Sequence, residues 1–221
     1  MCLHCDSLSG GIVRLKVGPE PTTYHVHETI LSRSRFFLTA LKKEWQEGKE
    51  RTIERPDDEA DAIYGYIQWL YTGKIACKLP KSRGGDTYIR LASLYTLGEK
   101  LLDRAFQDSV VNVFTISTRW SDSEGLHWYP GGKPIEMVYH GTPTDSPMRR
   151  LLVDVFVLHG SSKSLSSGHF NHEFLTDFAK TMMDERKEKN DKRFEELDSG
   201  VPCSYHHHGK DEPCGIQHMP E

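Results

Sequence analysis

Apolar and polar residues first alternate with period two at Val13-Arg14-Leu15-Lys16-Val17. That is the pattern of a strand with one face buried and the other in water. Gly18-Pro19-Glu20-Pro21 interrupts it, because proline cannot donate to a ladder and glycine tolerates a tight turn. Tyr24-His25-Val26 resumes the alternation, so the two runs predict a hairpin. The period then lengthens. Ile30, Ser34, Phe37, Leu38 and Leu41 recur at three and four, which predicts one helix ended near Gly48. Arg51-Thr52-Ile53-Glu54 predicts a short third strand before Pro56. Asp57 or Asp58 is the predicted N-cap of a second helix. Its apolar stripe is Ile63, Tyr66, Ile67, Leu70 and Tyr71, and Gly73 closes it.

A polar linker, 78–86, leads to a helical stretch from Tyr88 to about Ile116 with Leu91, Leu94, Gly98, Leu101 and Ala105 in phase. Asp103 restarts the helix within it. Residues 117–146 carry clustered glycines and prolines and are predicted to be a long loop. Ser146-Pro147 then reads as an N-cap and a first-turn proline ahead of the apolar run Leu151–Leu158. A last helix is predicted from Asn171 to about Leu197, almost wholly charged after Met183. Between Lys180 and Asp198 it holds six basic and seven acidic residues, the balance of a solvated face and not of a nucleic-acid arm. The expected class is α+β: a small three-stranded sheet flanked by helices, then a helical C-terminal extension.

Composition changes this picture only in part. The 28 basic and 32 acidic side chains leave a net charge of −4 with histidine neutral, which argues against a non-specific electrostatic hold on nucleic acid or anionic lipid. A mean hydropathy of −0.58 places part of the chain outside a core. No apolar run reaches the roughly 18 residues of a membrane span. No basic segment followed by an apolar one opens the chain, and the five cysteines are an odd count. An intracellular protein with free thiols, cytoplasmic or nuclear, is therefore expected.

Two segments carry a family resemblance. Tyr24-His25-Val26-His27-Glu28-Thr29-Ile30-Leu31-Ser32-Arg33-Ser34-Arg35-Phe36-Phe37 is similar to the motif of BTB/POZ domains, with Val26, His27, Leu31, Ser34 and Phe37 as its defining positions. Trp69-Leu70-Tyr71-Thr72-Gly73-Lys74-Ile75 resembles the later part of the same domain, at the right distance. The match covers about 11–116, and the remainder resembles fungal BTB proteins in which a helical half follows the domain. Glu28 stands where the family often has lysine; an acid at a helix start is favourable. The organisation that the resemblance implies is an N-terminal segment 1–10, a BTB/POZ-like domain 11–116, a loop 117–146, a helical extension 147–197 and a Cys/His-rich tail 198–221. In such domains the helix pair after residue 86 forms a closing hairpin.

The resemblance implies a non-enzymatic protein–protein interaction module that oligomerises or recruits a partner. A homodimer is expected, without a long exchanged arm, because few residues precede Val13. Trp45-Gln46-Glu47 sits where cullin-recruiting BTB proteins carry an apolar residue, any residue and a glutamate. An aromatic anchor beside a directional acceptor is the kind of pair that dominates a small interface, so Trp45 and Glu47 are the candidate partner-binding residues for a cullin scaffold. The alternative is a regulatory BTB protein associated with transcription or chromatin, although no basic helix or standard finger accompanies the domain.

His27, at the strand-to-helix junction, is expected to satisfy backbone groups there, since no nucleophile or base is in register with it. Ser32 and Ser34 are packing and capping residues. In the tail, Cys203, His206, His208 and Cys214 could supply the two sulfurs and two nitrogens of a tetrahedral zinc site. Their C-x2-H-x-H-x5-C spacing matches no standard finger, and a solvated tail that takes up metal adventitiously is the competing reading. Cys2 and Cys5 lack a second half. Gly160-Ser161-Ser162-Lys163-Ser164 lacks the first glycine of a phosphate loop. No catalytic site and no further cofactor are expected.

Overall fold

The computed structural model describes residues 10–42, 50–76, 84–121, 125–167, 169–185 and 205–207. The chain is mixed α+β, with a single three-stranded sheet and nine helices among those residues. It divides into two compact units, Met1–Ala76 with Leu97–Phe106, and Cys77–Thr96 with Gln107–Glu221.

The sheet belongs to the first unit. β1 (Ile12–Val17) is central, with β2 (Thr22–His27) antiparallel on one side and β3 (Thr52–Arg55) parallel on the other. Val13 faces Val26 and Leu15 faces Ile53 across the two ladders. The period of two read from the sequence is real: Val13, Leu15 and Val17 are fully buried while Arg14 is exposed. Gly18, at φ +89°, makes the hairpin turn in a conformation that suits glycine. A parallel pairing of β1 with β3 needs a crossover connection, and helices supply it.

That connection is not one helix. The predicted element over Ile30–Leu41 is two short helices, α1 (Glu28–Leu31) and α2 (Arg35–Ala40). The break lies at Ser32–Ser34, where the amides of Arg33 and Ser34 turn back to the carbonyls of Ile30 and Leu31 at 3.1 Å each. Serine favours such local alternatives over the helix interior, so the apolar spacing continued through a turn. Ile30, Leu31 and Phe37 still reach the core.

α3 (Ala60–Thr72) buries Ile63, Tyr66, Ile67 and Leu70 as expected, and ends at Gly73 with φ +70°. Its N-cap is Glu59 and not Asp57 or Asp58. Asp58 is occupied elsewhere: its carboxylate takes Arg55 Nε at 2.6 Å and Lys100 Nζ at 3.1 Å, and is nearly fully buried. A buried carboxylate between two cations gains more there than a terminal cap offers.

α4 (Gly84–Lys100) and α5 (Arg104–Ser117) are separated by a sharp reversal that contributes residues 97–106 to the first unit. The amide of Leu102 bonds to Glu99 O at 3.1 Å and that of Asp103 to Gly98 O at 3.0 Å, a Schellman motif. Asp103 then caps α5, its Oδ1 accepting from the Phe106 amide at 3.1 Å, as the sequence predicts for a restart. Its Oδ2 accepts from the Tyr66 hydroxyl at 2.6 Å.

The second unit is helical. The predicted loop 117–146 contains α6 (Gly132–Gly141), a correction to the sequence reading. The glycine and proline cluster marks its start: Gly131 is the N-cap, and Pro134 lies in the first turn, where proline's missing amide costs little. Ile135, Val138 and Tyr139 then fall on one buried face. α7 (Pro147–His159) follows Ser146 and Pro147 as expected and ends at Gly160. α8 (Ser162–Ser167) is short, and α9 (His172–Glu185) begins after Asn171, whose Oδ1 accepts from the Glu173 amide at 2.8 Å. The predicted continuation of that helix to Leu197 lies outside the described residues. α7 packs against α6 and α9, with Phe156 edge-on to Phe170, Phe174 and Phe178 at 5.3–5.4 Å.

Arg149 closes this unit's polar account. Only 6% of its side chain is exposed. Nη2 donates to the carbonyls of Tyr139 and Thr142 at 2.5 Å each, which satisfies acceptors at the end of α6. Nη1 pairs with Glu173 at 2.6 Å, and the guanidinium lies 4.4 Å over the Tyr139 ring.

Candidate functional site

The residues that carry the family resemblance are brought together in the first unit. Val26, Leu31, Ser34 and Phe37 are buried, and Leu70 with them. His27 is the N-cap of α1, yet its side chain makes no cap hydrogen bond. Instead Nδ1 and the Tyr71 hydroxyl lie 2.7 Å apart, and the His27 amide donates to the same hydroxyl at 3.1 Å. The histidine thus ties the end of β2 to α3, which corrects its expected role in serving the helix start. Arg33 adds a second tie, donating to Leu70 O at 3.0 Å. Trp69 lies tilted at 5.1 Å from Phe106, which itself meets Tyr66 edge-on at 4.7 Å. Ser34 is the N-cap of α2 by position, without a cap bond from its hydroxyl. These positions are structural; they hold the frame of the unit.

Trp45 and Glu47, the candidate partner-binding pair, lie outside the described residues. The elements that flank their loop are described: α2 before it and β3 after it. Leu38 on α2 is half exposed at 50%. Ile12 and Tyr64 are similarly open, Tyr64 resting on Tyr24 with ring centres 6.0 Å apart.

Leu102 is a site that sequence reasoning missed. It occupies the C′ position of the Schellman motif, where the backbone must adopt positive φ, and it does so at +54°. It is also 81% exposed. Glycine is the ordinary residue there; a leucine is both strained and solvated. The signal was legible in part, since the next residue, Asp103, was read as a helix restart.

In the second unit the tail segment Tyr205–His207 is not solvated. Tyr205 and His206 are buried, a correction to the solvated-tail reading at these positions. The Tyr205 hydroxyl donates to Asp154, a buried carboxylate on α7. His206 Nε2 and Asn112 Oδ1 on α5 are 2.6 Å apart, so this nitrogen carries the proton. The His207 amide donates to Asp108 Oδ1 at 2.9 Å. Its Nε2 lies 3.4 Å from the Tyr95 hydroxyl on α4, which in turn meets Ser146 Oγ at 3.2 Å. Zinc taking His206 through Nε2 would have to displace Asn112. The other candidate zinc ligands, Cys203, His208 and Cys214, lie outside the described residues. Among the described residues no three histidine, cysteine or acidic side chains converge as a metal site.

The second unit also holds a cavity of about 370 Å³ walled by Tyr129, Pro130, Phe156, His159, Gly160 and Phe170. Tyr129 and His159 are stacked at 4.4 Å with ring planes 11° apart.

Three tyrosine hydroxyls are held neutral well above the ordinary phenol range. Burial is the main cause at Tyr66, with the Asp103 carboxylate adding to it. Burial dominates at Tyr88 and at Tyr139 as well, reinforced at Tyr139 by Asp177. No helix among the described residues is long and apolar enough to cross a membrane.

No protein-family model matches this sequence, and no curated protein is significantly similar to it.

Proposed function

We propose that the chain is a non-catalytic protein–protein interaction module, its first unit a BTB/POZ-like domain that dimerises or recruits a partner, with a cullin scaffold as that partner. The observation that carries this reading is Leu102, a strained leucine 81% exposed at a helix reversal. Its side chain gains no burial in return for that strain, which supports a surface that a partner covers. Leu38, Ile12 and Tyr64 add large apolar side chains to the surface of the same unit. A small three-stranded sheet flanked by helices is what the motif resemblance implies, and its presence in the first unit supports the reading. Leu38 precedes Trp45 by seven residues in the chain, so an exposed leucine and the proposed aromatic anchor are close in sequence.

Co-purification with a cullin scaffold tests the partner. The wild-type chain is expected to retain the cullin, and the Trp45→Ala, Glu47→Ala double variant to lose it while keeping its circular dichroism. Equal retention by both would remove the role given to this loop.

A further inference from the structure

The contacts of Tyr205–His207 have the form of a bound peptide more than of a core. Each of the three residues is held by a polar group on a different place of a helical surface: Asp154 on α7, Asn112 and Asp108 on α5, and Tyr95 on α4. No strand ladder is involved. The donors include a phenol hydroxyl, a ring N–H and a backbone amide, two of whose acceptors are carboxylates, and the His207 ring meets the Tyr95 hydroxyl. Bonds to charged acceptors are the strong and directional kind. Asp154 is only 5% exposed, so the phenol hydroxyl meets a carboxylate largely withdrawn from water. Tyr205 is itself 3% exposed, its ring buried and its hydroxyl bonded to that acid.

We propose that the surface of α4, α5 and α7 is a peptide-binding groove, and that Tyr205–His207 is its resident occupant, a strap held in cis. The ligand class is a short, bent peptide that presents a tyrosine followed by two histidines. A partner carrying that chemistry competes with the chain's own segment. Because the strap is tethered, its local concentration is high, and a free peptide meets a closed groove until the strap is weakened. The proposal concerns the second unit only and stands apart from the reading of the first.

The test uses the full chain and a labelled peptide of sequence Val-Pro-Cys-Ser-Tyr-His-His-His-Gly, residues 201–209. The Tyr205→Ala, His206→Ala variant is expected to bind this peptide at least about tenfold more tightly than the wild-type chain does. Adding Asp154→Asn to that variant is expected to weaken peptide binding by about tenfold or more, in line with a bond to a charged acceptor. Equal binding by wild type and double variant, or no binding by a double variant that keeps its helical signal, would overturn the proposal. Should the double variant not fold, native-state hydrogen exchange on the unaltered chain decides. The His207 amide is expected to open at lower denaturant than the α5 amides of Val110 and Phe114, since a strap undocks before the unit unfolds. Opening of all three in one step would make the segment a permanent part of the fold and refute the strap.

Discussion

Tyr66 concentrates much of the first unit's physics in one side chain. It is fully buried, packs against Phe37, Trp69 and Phe106, and spends its hydroxyl on Asp103. Its folded pKa is raised, first by burial and then by the Asp103 charge. Stability from this group is therefore fully present below the unfolded phenol value of about 10, and falls as pH rises above it, because the unfolded chain gives up a proton that the folded one keeps. Tyr66→Phe is expected to lower stability at neutral pH by about 1–2 kcal/mol, through the lost bond to Asp103. It is also expected to flatten the alkaline loss by up to about 1.4 kcal/mol per pH unit. Denaturant melts between pH 7 and 11 check both, and an unchanged alkaline slope would contradict the account. The buried apolar role of Tyr66 was legible from its place in the stripe of α3. Its hydroxyl's partner was not, since Asp103 is far along the chain and the sequence assigned it only as a helix start. The same limit applies at His27, where the ring finds Tyr71 and makes no cap bond to the adjoining helix.

At the scale of elements, the periods of two and three-to-four located the hairpin, β3, α3, α4, α5 and α7, because those periods record which face is buried. They failed where punctuation mattered more than period. Two serines divide α1 from α2 within an unbroken apolar spacing, and the glycine–proline cluster before α6 concealed a helix by marking its beginning. The α4–α5 reversal is the element whose cost is clearest. Its left-handed position carries Leu102 where glycine would be unstrained. Leu102→Gly is expected to stabilise the chain by roughly 0.5–1 kcal/mol, since little apolar burial is lost and the positive φ is relieved. The same change is expected to weaken partner binding, a trade between stability and surface function. Chemical denaturation alongside a cullin binding isotherm measures the two effects. A destabilised variant with unaltered binding would show that Leu102 serves the fold alone.

Across the whole molecule, the 28 basic and 32 acidic side chains nearly balance. Each unit nonetheless has its own aromatic core: Phe37, Tyr66 and Phe106 in the first, Phe156, Phe174 and Phe178 in the second. The first unit was the more legible, because five of its motif positions, Val26, Leu31, Ser34, Phe37 and Leu70, are buried. In the second, the docking of Tyr205–His207 could not be read from a polar, histidine-rich stretch, since its partners Asp154, Asn112 and Tyr95 lie 51 to 112 residues away. Trp45 and Glu47, which lie outside the described residues, enter the proposed partner surface through motif spacing alone.

The claim that the first unit is an association surface is tested most directly by light scattering on the purified chain, alone and mixed with a purified cullin scaffold. The account predicts either twice the chain mass of 25.3 kDa alone or a complex with the scaffold, and in both cases a loss on Leu38→Asp with Leu102→Asp. A mass of 25.3 kDa in both samples would contradict it.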